Sequence, residues 1–156
     1  MKALTLTQPW ATLVAIGAKR IETRGWRTSY RGELAIHAAK GFPKDALKFS
    51  LQPVCYNQMQ RTARLEMSRK GWGAYPLGYV LATCRLQACI STDTLFEVDS
   101  LLTNDPEAVT GRYVSELEHA FGNFSPGRFA WFLTDIKLLP EPIPAKGSLS
   151  LWEWNP

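Results

Sequence analysis

The chain has 156 residues, 46% of them hydrophobic and 21% charged, with a net charge of +4 at pH 7. That length fits a single domain, residues 1–156, with a sizeable core. No apolar run reaches the ~18 residues of a membrane helix, and MKALTLTQPW lacks the apolar core of a signal peptide. The expectation is therefore a cytoplasmic protein with no membrane partner.

Cys55, Cys84 and Cys89 are odd in number and form no CxxC pair, so buried reduced thiols are expected rather than a disulfide framework or a zinc knuckle. The net charge hides a split. Residues 1–85 carry 14 Lys/Arg against 4 Asp/Glu, and residues 86–156 carry 4 against 10. A basic half points to an anionic partner, most often nucleic acid, unless the fold interleaves the two halves and mixes their charges.

In chain order, Lys2 to Leu6 alternates and predicts a strand. Thr7 is placed to cap a helix with Pro9 in its first turn, an apolar face at Leu13, Val14 and Ile16, and Gly17 as its stop. AKRIETR follows as a strand with Arg20, Glu22 and Arg24 on one face and Lys19, Ile21 and Thr23 on the other. Three charges on one face cannot all meet a dry core, so that face is solvent or a polar wall. Gly25 to Gly32 is a loop whose Trp, Tyr and arginines suit base stacking and phosphate contact.

Glu33 to Ala39 is a strand carrying His37, and Lys40 and Gly41 end it. Pro43 opens a helix, and a second helix is predicted over about 54–70. GWGAYPLG is a loop. Gly78 to Ile90 is the clearest long strand. The acidic stretch from Thr92 is irregular, a short helix is predicted over 113–121, and NFSPG turns into a strand over 128–138. PEPIPAKG reads as a proline-rich connection to a closing strand over 149–154, whose Trp152 and Trp154 share a face. Five or six strands without regular βα alternation predict an α+β domain built on a small closed sheet.

Several chemistries are not indicated. The sequence has no P-loop, no GxGxxG fingerprint, no HExxH and no GxSxG elbow. With His37 and His119 as its two histidines and no Cys/His cluster, it announces no zinc site, and no cofactor is expected.

Gln8-Pro9-Trp10, followed by Gly17, Lys19, Glu22 and Arg24, resembles the N-terminal signature of the ASCH domain (activating signal cointegrator homology) family of the PUA-like superfamily. The likeness continues through Trp26, through Tyr30-Arg31-Gly32 and through Ile36 to Lys40. It returns at Ser125 to Trp131 and again at Ala145-Lys146-Gly147 and Leu151-Trp152. The resemblance implies a PUA-like small β-barrel of five to six strands with flanking helices. It also implies a basic cleft beside the first helix that takes RNA, another nucleic acid or a nucleotide.

Trp10, Lys19, Glu22, Arg24, Trp26, Arg31, Lys40, Ser125 and Arg128 are the candidate nucleic-acid-binding residues. Lys19, Arg24 and Arg31 would meet phosphate, Trp10 or Trp26 would stack on a base, and Glu22 would meet a base edge or orient Arg24. Some relatives are enzymes. One branch removes the acetyl group from N4-acetylcytidine with a Lys, a Thr and a Glu. Here Lys19 matches the lysine, Glu22 stands at the threonine position and Cys84 falls where the glutamate belongs. If the chain is an enzyme on RNA or a nucleoside, a ribonuclease for instance, Lys19, Glu22, His37 and Lys40 are its candidate catalytic groups. A protein partner for the basic face is a third reading, and the oligomeric state is not set by the sequence.

Overall fold

The computed structural model describes residues 1–60, 75–95 and 114–156. Among these, the strands are β1 (Lys2–Leu6), β2 (Ile21–Arg24), β3 (Gly32–Ala38), β4 (Tyr79–Ser91), β5 (Phe129–Pro144) and β6 (Leu151–Glu153). The helices are short: α1 (Trp10–Ala15), α2 (Lys44–Ser50), α3 (Pro53–Gln58), α4 (Thr92–Leu95) and α5 (Glu116–Phe121). None of them is long and apolar enough to cross a membrane. The strands hydrogen-bond in the order β2-β5-β4-β3-β1-β6. The sheet is mixed, because β1 is parallel to β3 and antiparallel to β6. This is the α+β class expected from the sequence. The predicted helix over 54–70 begins as α3, and its remainder, with Arg61, Arg64, Arg69 and Lys70, lies outside the described residues.

The chain divides into two compact units. The first comprises Met1–Lys19, Glu33–Cys84 and Asp135–Pro156, and the second comprises Arg20–Gly32 and Arg85–Thr134. The second unit therefore draws Arg20 to Gly32 from the basic half and Asp93, Glu116 and Glu118 from the acidic half. The charge split along the sequence is not a split of the fold.

In the first unit, β1 and β3 pair as Ala3↔Ala35, Leu4↔Ile36 and Thr5↔His37. One face carries Ala3 and Ala35, which cluster with Val80 and Trp154. The other face carries Leu4, Leu6, Leu34 and Ile36, all buried as well. Strands covered on both faces are what a parallel pair requires.

α1 differs from its sequence reading at its start. Thr7 is not the cap; Pro9 occupies the N-cap and offers no side-chain bond. Gln8, fully buried, accepts from the Thr12 N–H at 3.1 Å and donates to the Pro76 carbonyl at 2.9 Å. An amide can accept at one end and donate at the other, so one side chain satisfies an orphan N–H of the first turn and anchors a distant loop. At six residues α1 is too short to persist alone. Burial of Ala11 through Ala15 on all sides holds it, and Gly17, at φ 75°, ends it.

β5 runs through the stretch read as a proline-rich connection, ending at Pro144. The prolines at 140, 142 and 144 alternate. In a strand, alternate N–H groups point to the same edge, so all three missing donors fall on one side. The other edge keeps its donors, and Ala145 N–H just beyond the strand bonds the Gly78 carbonyl at 3.0 Å.

In the second unit, β2 pairs antiparallel with the start of β5, Ile21↔Phe132 through Arg24↔Phe129. Ile21, Ala88, Leu95, Ala130 and Phe132 form its core, with Ile90, Val114 and Phe124 against them. The entry to β2 is fixed by a carboxylate from α5. Ser115 caps that helix by accepting from Glu118 N–H at 3.2 Å. The Glu118 side chain does not close the box on Ser115. It reaches β2, where Oε1 accepts from Arg20 N–H at 2.5 Å and Oε2 from Ile21 N–H at 3.3 Å.

Hydrogen bonds to a charged acceptor are each worth about 1.5–3 kcal/mol, and a buried N–H left without one is costly. Glu118→Ala is expected to lower unfolding free energy by about 2–4 kcal/mol in urea titration, and Glu118→Gln, which keeps one carbonyl acceptor, by about half as much. Equal stability of Glu118→Ala and the parent chain would contradict this role.

Candidate functional site

The candidate residues fall in both units, and the site chemistry of each unit is set by its own strands. In the second unit, the β2–β5 register places Glu22 opposite Trp131 and Arg24 opposite Phe129. Residues two apart share a face, so Glu22, Arg24, Trp131 and Phe129 lie together, and Ile21, Thr23, Ala130 and Phe132 face the other way. Glu22 is buried, 8% exposed, and its Oε1 lies 3.2 Å from Arg24 Nε. The Arg24 side chain is about a quarter exposed, at 26%. The two form an ion pair by distance, although the Nε–H is not aligned for a hydrogen bond, and the pairing draws the partly exposed guanidinium toward Glu22. The charged face predicted for this strand is thus a buried acid with a basic rim, and Arg20 beside it is exposed.

Trp26 follows in the loop. Its half-buried ring stands edge-on to Trp131, with centroids 4.6 Å apart and planes at 86°. Arg31 folds back on its own loop, its Nη1 donating to Thr28 O at 3.1 Å and Tyr30 O at 2.8 Å. Arg128 crosses to β2, with Nε donating to Asn123 O and Nη2 to Thr23 O, both at 3.1 Å. The Ser125 side chain is exposed, and its turn is tied down through the backbone. Thr92 Oγ1 bonds the carbonyls of Ser125 and Arg128 at 2.9 and 3.0 Å and accepts from Arg128 N–H at 3.0 Å. The Asp93 carboxylate accepts from Gly127 N–H at 3.0 Å.

Sequence reasoning passed over Trp131, Glu118 and Thr92 as site-shaping residues. The signal for Trp131 was its place at the end of the Ser125 to Trp131 stretch that carries the family resemblance. Trp131 has no exposed surface, and its Nε1–H has no hydrogen-bond partner among the described residues.

In the first unit, Trp10 opens α1 and stacks on Phe49 at 5.3 Å, with 7° between the rings. Lys19, expected at a phosphate, has no exposed surface. Its backbone N–H bonds Leu13 O at 3.0 Å just past the end of α1. Its side chain is therefore internal to the fold and not presented to solvent. The stem of Lys40 lies across Gly78; a Cβ there would meet its Cγ at 3.0 Å. Gly78, at φ 79°, keeps that passage open.

Cys84, set against the glutamate of the amidohydrolase branch, is buried. Its Sγ lies 3.5 Å from Leu34 O, and burial pushes the thiol up to about 12. It is therefore a protonated thiol at neutral pH and supplies no base. Cys55 and Cys89 are likewise buried and reduced. Among the described residues no group of three or more His, Cys, Asp or Glu side chains could hold a metal ion.

His37 is 1% exposed and bonded at both nitrogens. Nε2 lies 3.2 Å from the Ala145 carbonyl, and Nδ1 lies 3.2 Å from Thr5 Oγ1. A carbonyl only accepts, so Nε2 carries the proton and Nδ1 takes the Thr5 hydroxyl hydrogen. Thr5 Oγ1 in turn accepts from Trp152 Nε1–H at 3.1 Å. The relay ties β1, β3 and the C-terminal segment together. A Cβ on Gly147 would stand 2.6 Å from His37 Nδ1 and 2.9 Å from Thr5 Oγ1.

The pattern of the ASCH domain matches residues 4–124. The chain belongs to the ASCH domain family. Human activating signal cointegrator 1 is 38% identical over 90 residues, and the mouse protein of that name is 34% identical over the same length; the match takes in 56% of this chain and 14% of either cointegrator. The crystal structure of a point mutant of the ZmASCH protein from Zymomonas mobilis aligns over 99% of this chain and 89% of its own, with 14% identity and a TM-score of 0.49. The ASCH signature Gln8-Pro9-Trp10 is thus spent here on starting α1, anchoring Pro76 and stacking on Phe49.

Two outcomes follow for the relay of this ASCH domain. Burial foremost, with Lys40 nearby, holds the His37 imidazole below its ordinary value of 6.5, partly offset by the bond to Ala145. Unfolded His37 binds a proton near pH 6.5 while the folded form resists it, so its contribution to stability is intact above that pH and declines below it. Thermal denaturation from pH 7.5 to 5 should show this decline, reduced in His37→Gln. Gly147→Ala should cost about 1–3 kcal/mol by crowding the relay, read as a shift in urea midpoint at unchanged slope.

Proposed function

We propose that this ASCH domain, a PUA-like module, binds nucleic acid, with single-stranded RNA or a nucleotide as its ligand. The observation that carries the reading is the cation chemistry of the unit formed by Arg20–Gly32 and Arg85–Thr134. Every described Lys or Arg position there is an arginine: Arg20, Arg24, Arg27, Arg31, Arg85 and Arg128. Arg24, Arg31 and Arg128 are partly exposed, and each is oriented by Glu22 or by backbone carbonyls. Planar guanidiniums held in place suit phosphate oxygens and base edges better than flexible ammonium groups do. Trp26, two residues beyond Arg24, is a half-buried ring of the kind on which a base stacks.

In this reading Arg24, Arg31 and the exposed Arg27 meet phosphate, and Trp26 meets a base. Arg128 serves them by holding the Ser125–Gly127 turn to β2. In the first unit, Lys40 is a separate candidate cation whose stem lies across Gly78, and Lys19, with no exposed surface, is not assigned a phosphate. Family membership supports the reading at the level of the domain. The cointegrators are far longer than this chain, so their wider roles do not carry over.

The test is a titration of purified protein with labelled single-stranded RNA at several salt concentrations. A steep loss of affinity with salt is expected. Arg24→Ala and Arg31→Ala should each reduce the slope of log affinity against log salt by about 0.7 for every phosphate left unmet, and Trp26→Ala should cost about 1–3 kcal/mol of binding. A parallel denaturing gel separates binding from turnover. Intact RNA fits a binding module, and shortened products would make the domain a ribonuclease. No binding at low salt would reject the reading.

A further inference from the structure

We infer that Trp131 is a further ligand-binding residue, whose indole N–H donates to a neutral acceptor on the edge of a nucleobase while Glu22 accepts an N–H from the same edge. This deepens the nucleic-acid reading above and rests on it. Three observations carry it, all within one unit. Trp131 has no exposed surface, yet its Nε1–H has no partner among the described residues. A buried donor in that state is costly, and native proteins rarely leave one unless a ligand or water meets it. By register, the side chain shares its face with Glu22 and Arg24 and not with the apolar cluster of Ile21, Ala130 and Phe132. Finally, the ring that packs on it is Trp26, half-buried, in a loop bordered by Gly25 and Gly32.

The chemistry selects the acceptor. An indole N–H on the same face as the Glu22 carboxylate is a poor place for a phosphate oxygen, which the carboxylate repels at short range. A carbonyl oxygen or ring nitrogen of a base carries no such charge. Base edges set such an acceptor beside an amino or imino N–H, which the carboxylate can take. Glu22 is already oriented by Arg24, so donor and acceptor are both fixed before the ligand arrives. Trp131 is covered and Trp26 packs edge-on against it; in this inference Trp26 shifts as a base enters and offers its own face for stacking. Phosphate is left to the arginines at the rim.

The experiment uses the full chain with ¹⁵N-labelled tryptophan, which gives one indole N–H resonance for each of six tryptophans. The probes are the four nucleoside 5′-monophosphates, with ribose 5-phosphate as the phosphate-only control. At least one nucleotide is expected to move the Trp131 indole proton downfield, and ribose 5-phosphate is expected to leave it in place. Trp131→Phe, which keeps an aromatic ring and removes the donor, should weaken that nucleotide about 5–10-fold, the worth of one hydrogen bond, without changing ribose 5-phosphate binding. Glu22→Gln should reduce the spread of affinities among the four nucleotides.

If Trp131→Phe fails to fold, the resonance is assigned by elimination with the other five Trp→Phe variants, and the wild-type titration decides. Nucleotides that bind while the Trp131 resonance stays still would overturn the inference, leaving the orphan donor to a buried water and the arginine reading intact. Movement by ribose 5-phosphate equal to that by nucleotides would overturn it too. Absence of binding by any nucleotide or by RNA would remove both readings together.

Discussion

The buried carboxylate of Glu118 is the constraint on which the second unit depends. β2 is only four residues long and lies at one end of the strand order. It pairs with β5 along one edge, and its entry would otherwise bring unpaired N–H groups into a desolvated setting. Glu118 takes two of them at once. The cap at Ser115 holds the helix that delivers Glu118, and the register of β2 on β5 then decides which side chains share a face. A slip of one residue would turn Glu22 and Arg24 into the apolar cluster and send Ile21 outward.

Once that register is set, the polar groups of the face restrain one another. Glu22 grips Arg24, the Arg128 guanidinium bonds the Thr23 carbonyl from the neighbouring turn, and Thr92 with Asp93 holds that turn. A guanidinium anchored through its N–H groups, as Arg128 is, keeps its remaining donors in a defined direction. The described lysines belong to the other unit, and there they behave differently. Lys19 is internal, the stem of Lys40 is laid along Gly78, and Lys2 meets Glu153 at the surface at 2.6 Å.

The first unit is organised by a different device. Its β1 and β3 are covered on both faces, and buried polar groups there are largely met by hydrogen bonds within the protein. Gln8 and the Trp152–Thr5–His37–Ala145 relay are two examples, and each joins segments far apart in sequence. The imidazole that drew attention as a possible acid or base is here occupied at both nitrogens, one as donor and one as acceptor. Cys84 is likewise kept as a neutral thiol by burial. Both groups are therefore committed to the fold of the first unit.

Local signals in the sequence were enough for the elements and the family. Alternation marked β1, β3 and β4, proline and glycine bracketed α1, and the spacing from Gln8 to Arg24 carried the ASCH resemblance. The same alternation put Glu22 and Arg24 on one face, because side-chain direction in a strand is a property of the backbone alone. What needed tertiary structure was everything set by partners about 100 residues away. The resemblance put Lys19 at a phosphate, and packing left it with no exposed surface. Three prolines looked like the end of a strand, and their alternation let β5 continue because the edge that pairs kept its donors. Thr7 had the better capping side chain, and Gln8 took the role because Pro76 stood within its reach. Trp131 was legible as part of the late family stretch, and only the register set it across from Glu22 with its N–H unmet among the described residues. Local backbone preference is written in neighbouring residues. Burial and hydrogen-bond satisfaction depend on which distant segments meet, and that is decided only when the chain has folded.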